Sequence, residues 1–150
     1  MATHLKFWTA ACMVVLAACL TPMGRAAAAP VVKHMSVNGV SLTYQEQGQG
    51  APVVFVHGSN TDYRVWEPQR AAVAKNYRFI AITQRYFGTD PWPDDGAKFA
   101  VATHADDLAA FIRGLNAGPV TLVGWSYSGD RKSTRLNSSH IQKSRMPSSA

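Results

Sequence analysis

Cysteine is almost missing from this 150-residue chain: Cys12 and Cys19 are the only two, and both lie in the first twenty residues. Everything after Leu20 therefore has no thiol nucleophile, no disulfide and no cysteine-based metal site. Long apolar runs are missing as well. The longest, Phe7 to Leu20, has 14 residues, short of the roughly 20 that a membrane-spanning helix needs. The body of the chain also lacks an excess of either charge. The formal charge of +6 comes from the two ends, because Val31 to Gly129 carries 8 basic and 8 acidic side chains. A balanced body excludes a polyanion-binding surface as its main purpose, so no nucleic-acid partner is expected.

Both ends read differently from the body. Lys6 precedes the apolar run, Pro22 and Gly24 break it, and small residues continue to Ala29. That is the layout of a secretory signal over residues 1–29, with cleavage near Ala28 or Ala29 and export to the periplasm or the medium. Leu16-Ala17-Ala18-Cys19 also resembles a bacterial lipobox, so the protein meets a membrane only if Cys19 is lipidated. At the other end, residues 130–150 hold five Lys/Arg (Arg131, Lys132, Arg135, Lys143, Arg145), one acid and no aromatic. Composition alone makes this a disordered basic tail. Asp130 to His140 and Ser144 to Ala150 also resemble one reading frame of a common short-read sequencing adapter, with Ile141, Gln142 and Lys143 where a sample barcode falls. The tail is therefore read as non-native.

Between the ends the pattern is ordered. Met35 to Val40 and Ser41 to Gln47 read as a hairpin around Asn38-Gly39. Val53 to Val56, Phe79 to Ile82 and Val120 to Val123 are continuous apolar runs, the pattern of strands buried on both faces of a parallel sheet. A helix is predicted over Val65 to Lys75. A second, over Thr103 to Leu115, has Thr103 as N-cap and Leu108, Phe111, Ile112 and Leu115 on one face. Alternating strands and helices predict an α/β fold: a mostly parallel sheet flanked by helices on both faces, with five strands and one unpaired edge.

The chemistry falls where strands end. Gly124-Trp125-Ser126-Tyr127-Ser128-Gly129 follows the third buried strand directly. A serine one residue past a strand, flanked by small residues two before and two after, is the nucleophile-elbow pattern. Gly124 and Ser128 must be small to let the tight turn pass, and Ser126 is pushed above the sheet. The last position of G-x-S-x-G is Ser128 here, with Gly129 one later. His57-Gly58-Ser59-Asn60 ends the first buried strand. The backbone N–H groups of Ser59 and Tyr127 are candidates for an oxyanion hole, and His57 and Gly58 for support of that loop. Trp125 and Tyr127 flank the nucleophile and are candidates for substrate contact. Asp62, Asp90, Asp94 and Asp95 match no ligand spacing, and no metal site is read there.

Together these pieces resemble the N-terminal half of the α/β-hydrolase superfamily, from Val37 to Gly129. The stretch Gln84 to Thr89 stands where many members carry D-x-R-G-x-G-x-S, and only Arg85 and Gly88 fit that pattern well. The resemblance implies a secreted, esterase-like serine hydrolase without a cofactor. It would act on a small-molecule ester or related acyl substrate through an acyl-enzyme at Ser126. Serine at the elbow stands against dehalogenases and epoxide hydrolases of the superfamily, which place aspartate there. A cofactor-free haloperoxidase with the same triad is an alternative, and so is an inactive or purely binding fragment. In the superfamily the catalytic acid and histidine follow the serine. The only histidine after Ser126 is His140, within the tail, so the chain as it stands is expected to be inactive.

Intact-mass analysis of the exported protein is expected to place the mature N-terminus near Pro30. A start at a lipidated Cys19 would select the lipoprotein reading, and an intact Met1 would overturn both.

Overall fold

The computed structural model describes residues 28–92 and 94–128, together with the backbone of 141–143. Residues 1–27 of the expected signal, Gly129, and the tail apart from 141–143 lie outside the described residues. The chain opens with β1 (Val31–Val37) and β2 (Val40–Gln47), paired antiparallel from Val31 opposite Glu46 to Val37 opposite Val40. Asn38 and Gly39 turn between them at φ +46° and +79°, the positive pair that a two-residue hairpin turn with the sheet's own twist demands. β1 begins four residues earlier than its apolar pattern predicts. Val31 and Val32 pair through their backbones while their side chains stay exposed, so periodicity carried no sign of them.

Next come β3 (Pro52–Val56), α1 (Glu67–Val73), β4 (Arg78–Ile82), α2 (Val101–Gly114) and β5 (Val120–Gly124). Among the described residues the sheet has six strands in the order β1-β2-β4-β3-β5-β6, with β6 formed by Ile141–Lys143. β3 runs parallel to β4 on one side and to β5 on the other. The chain thus leaves β3 in one direction and returns across it in the other. Right-handed crossovers in opposite directions place their helices on opposite faces, and two separate cores result. Val54, Val56, Ile80, Ile82, Val120 and Leu122 face Leu108, Phe111 and Ile112 of α2. Phe55, Phe79 and Ala81, one residue out of phase, face Trp66 and Ala74 on the α1 side. Strand alternation and the reversal at β3 thus explain one another. Helices flank the sheet on both faces, as the sequence pattern predicts.

Three expectations need correction. The helix predicted over Val65 to Lys75 is a 3₁₀ turn, Tyr63–Trp66, running into α1. Asp62 accepts a hydrogen bond from the Arg64 N–H (2.9 Å) and starts the coil two residues earlier and more tightly. Thr103 is not the N-cap of α2; that position is Ala100, which makes no side-chain cap. The Ala100 carbonyl instead accepts the His104 N–H at 3.1 Å, and the Phe99 ring lies edge-on against His104 at 5.1 Å. The outer edge of β5 is not unpaired, because Ile141–Lys143 lies parallel to it from Val120 to Leu122. Backbone pairing asks nothing of side-chain type, so the composition of that stretch could not announce it.

Phe111 is fully buried and meets Tyr44 edge-on at 5.1 Å. Phe111→Ala in the protein expressed from its whole gene is expected to cost about 3–5 kcal/mol in a denaturant melt. A loss below about 1 kcal/mol would contradict this packing.

Candidate active site

The carboxyl ends of β3, β4 and β5 lie side by side. Val56 pairs with both Ile82 and Gly124, so the chain leaves the sheet at the same level as His57, Thr83 and Trp125. In open α/β sheets a crevice forms at the point where strand order reverses, which here is the end of β3.

Ser126 sits at that crevice. It is exposed and held at φ +54°, a left-handed conformation that a serine adopts at a cost of order 1–3 kcal/mol. Two backbone hydrogen bonds over-determine it: the Trp125 N–H donates to the Val56 carbonyl (3.2 Å), and the Ser128 N–H donates to the Trp125 carbonyl (3.2 Å). The chain then coils as a 3₁₀ turn over Ser126–Ser128. Gly58 comes close on the other side. A Cβ there would lie 3.1 Å from the Ser126 Cβ and 3.4 Å from the Trp125 ring, so any larger residue would press the loop after β3 away from the serine by a few tenths of an ångström.

His57 is completely buried. Its Nε2 accepts the Gln84 backbone N–H at 3.0 Å, and its Nδ1 lies 2.6 Å from the Gly58 carbonyl. A carbonyl can only accept and a backbone N–H can only donate. The ring is therefore the neutral tautomer with its proton on Nδ1, and its one basic lone pair is occupied. The Gly58 carbonyl also accepts from the Thr61 hydroxyl (3.3 Å). Every described peptide bond is trans, so the Ser59 N–H points opposite to that carbonyl, away from the His57 ring.

A cleft of about 550 Å³ opens beside these groups, lined among others by Ser59, Asp62, Tyr86, Phe87, Phe99 and Tyr127. Phe87 packs on His57 (5.0 Å) and on Phe99 (5.9 Å), which gives the cleft an aromatic wall. At its rim the Arg64 guanidinium chelates Asp62 through 2.9 and 3.0 Å contacts from Nε and holds that carboxyl below its usual range. Burial, with Asp94 accepting the phenol proton at 2.6 Å, pushes the Tyr86 hydroxyl up. Of the two aromatic candidates beside Ser126, Tyr127 lines the cleft. Trp125 does not: its backbone extends the β5 ladder and its side chain is 51% exposed. Trp66 and Trp92 pack elsewhere, against Phe55 at 5.0 Å and Tyr86 at 5.3 Å. Among the loop acids, Asp90 accepts from the Thr43 hydroxyl at 2.9 Å. Gly124 ends β5 within the sheet, and Gly129 lies outside the described residues.

Sequence reasoning missed two contributors. Gln84 links all three strand ends, and its placement two residues past a buried strand was the available signal. Arg85 and Asp107, both 4% exposed, form a paired fork at 2.7 and 2.9 Å between the loop after β4 and α2. Asn38 adds a further donor to Asp107 at 2.9 Å. Their separation in sequence hid that pairing.

Comparison with known proteins follows this geometry. The profile described as the alpha/beta hydrolase family matches residues 53–129, and the chain belongs to that family. It is 41% identical over 95 residues to the non-heme chloroperoxidase CPO-A1 of Kitasatospora aureofaciens, covering 61% of this chain and 33% of that protein. It is 30% identical over 96 residues to a 2-(acetamidomethylene)succinate hydrolase of Mesorhizobium japonicum, covering 64% of this chain and 34% of that protein. Among solved structures it resembles the Cif epoxide hydrolase from Acinetobacter nosocomialis, with a TM-score of 0.63 and 28% identity, over 75% of this chain and 36% of that one. The chain spans about a third of the length of the curated relatives it matches.

Gly58→Ala is expected to slow covalent labelling of Ser126 by a fluorophosphonate about tenfold while the melting temperature stays near that of the parent. Unchanged labelling would mean that the approach of Gly58 to Ser126 is not needed.

Proposed function

We propose that the protein is an exported serine hydrolase that cleaves an ester or related acyl bond through an acyl-enzyme at Ser126. The observation that carries this reading is the conformation of Ser126: exposed at the carboxyl end of β5, at φ +54°, with Gly58 in close approach beside it. Such strain persists only where surrounding contacts enforce it, and such sites cluster where chemistry is done.

In this mechanism the Ser126 Oγ attacks the substrate carbonyl as a base takes its proton, and the carbonyl oxygen gains charge. The N–H groups of Ser59 and Tyr127 receive that charge, which the outward direction of the Ser59 N–H favours. Collapse expels the alcohol with a proton and leaves the acyl-enzyme, which water then hydrolyses. His57 is not the base in this reading, since its accepting nitrogen already holds the Gln84 N–H. The family resemblance puts the acid and the catalytic histidine after the nucleophile. The aromatic cleft would take the apolar part of a small ester, and no cofactor takes part.

The similarity to a non-heme chloroperoxidase favours a second reading with the same nucleophile. There hydrogen peroxide replaces water on the acyl-enzyme and releases a peracid, and product analysis with and without peroxide separates the two. The similarity to an epoxide hydrolase extends to the fold, whereas the serine at the elbow points to acyl chemistry.

The protein expressed from its whole gene should be labelled by a fluorophosphonate probe, and Ser126→Ala should abolish labelling. Ester hydrolysis should fall on the order of a million-fold in that variant. A folded protein that is not labelled would overturn the hydrolase reading and leave a binding protein.

A further inference from the structure

The residue that departs from the elbow pattern, Ser128, is 4% exposed, and its hydroxyl is not idle. It donates to the His57 carbonyl and accepts from the Gln84 side-chain amide at 3.2 Å. The same amide donates its second proton to the His57 carbonyl at 2.9 Å. Glycine at this position would leave both Gln84 Nε2 and the His57 carbonyl with one partner fewer.

We propose that Ser128 and Gln84 form a hydrogen-bonded strap that fixes the oxyanion loop against the nucleophile elbow, which makes both of them positioning residues for the oxyanion donor at Ser59. This rests on the hydrolase reading of Ser126. The strap acts on one peptide group. The His57 carbonyl receives two donors, one from the turn after β5 and one from the loop after β4, so both of its lone pairs are engaged. That peptide cannot rotate without breaking both bonds. The following carbonyl, of Gly58, is held by the His57 ring and the Thr61 hydroxyl. Two consecutive peptide planes are thus pinned, and the second of them carries the Ser59 N–H. Gly58, with no side chain, would otherwise be the most pliable point of the loop. Where glycine fills the last position of the elbow pattern, it contributes only the absence of a side chain. Here it contributes a bond, and the Gln84 amide supplies its partner.

The strap touches neither substrate nor leaving group, so its loss should affect the transition state more than substrate binding. In the protein expressed from its whole gene, with a p-nitrophenyl ester as substrate, Ser128→Ala is expected to lower kcat about tenfold and leave KM within about twofold. Gln84→Ala should act alike, and the double variant should be little worse than either single one, because both break one unit. Ser128→Gly restores the usual residue of the pattern and provides a second variant should the alanine fold poorly. A fall in kcat confined to these variants supports the strap. Unchanged kcat in folded Ser128→Ala or Ser128→Gly overturns it, as does strict additivity with Gln84→Ala. Amide hydrogen exchange over Gly58 to Asn60 should rise in the Ser128 variants whether or not the protein is a hydrolase. Should the parent fail to label at Ser126, the functional reading falls, and unchanged exchange would then overturn the strap separately.

Discussion

A neutral imidazole buried between three strand ends sets the geometry of this site. His57 directly follows β3, receives the Gln84 backbone N–H from the loop after β4, and presents its carbonyl to the turn after β5. None of these bonds is individually large; a typical one contributes about 1 kcal/mol net. Their weight comes from burial. An unmade hydrogen bond at a completely buried group costs the full desolvation of that group, about 1–3 kcal/mol, so the three loops hold one arrangement or lose several such bonds together. A charged ring would lose the bond from the Gln84 N–H, which demands an accepting nitrogen. The same condition that organises the loops therefore commits the accepting nitrogen of His57 to the Gln84 N–H.

The second fixed point lies on the opposite side of the loop after β4. Arg85 and Asp107 are both nearly inaccessible, and burying such a pair is not by itself stabilising. Its geometry is nevertheless demanding: two parallel contacts from the guanidinium, a third donor from Asn38 in the hairpin turn, and the His104 Nε2–H on the Arg85 carbonyl at 3.1 Å. Residues from the hairpin turn, the β4 loop and α2 thus meet at one charge pair. Removing either partner would strand a buried charge, so the loop that carries Tyr86 and Phe87 into the cleft has little freedom to swing. The aromatic wall inherits its position from this pair.

Much of the fold was legible because it rests on burial. The three central strands are apolar on both faces, and the Asn38-Gly39 turn and the Leu108, Phe111, Ile112 face of α2 follow period rules that composition displays directly. The misread features rest on backbone pairing or on contacts between distant residues. Val31 and Val32 extend β1 through exposed positions, Ala100 caps α2 through its backbone carbonyl alone, and β6 joins the sheet through backbone pairing. The candidate site divides in the same way. Ser126, Gly58 and His57 were legible as candidates because a motif fixes them relative to strand ends. Gln84, Phe99 and the Arg85–Asp107 pair escaped because only the fold brings their partners together.

The strain at Ser126 then has a physical account. Holding φ at +54° costs free energy, and the cost is tolerable only if neighbouring bonds cannot be kept with the serine relaxed. The Trp125 N–H is committed to β3, and the Ser128 N–H to the Trp125 carbonyl. The Ser128 side chain is committed in turn to the His57 carbonyl and to Gln84. Relaxing the elbow would therefore disturb β3, β4 and β5 at once. Serine in place of glycine at position 128 adds to this over-determination, because it converts a steric allowance into a bond across the crevice. In the proposed mechanism a stiffer elbow has less to reorganise when charge develops, which is the condition under which fixed backbone donors stabilise a transition state most effectively.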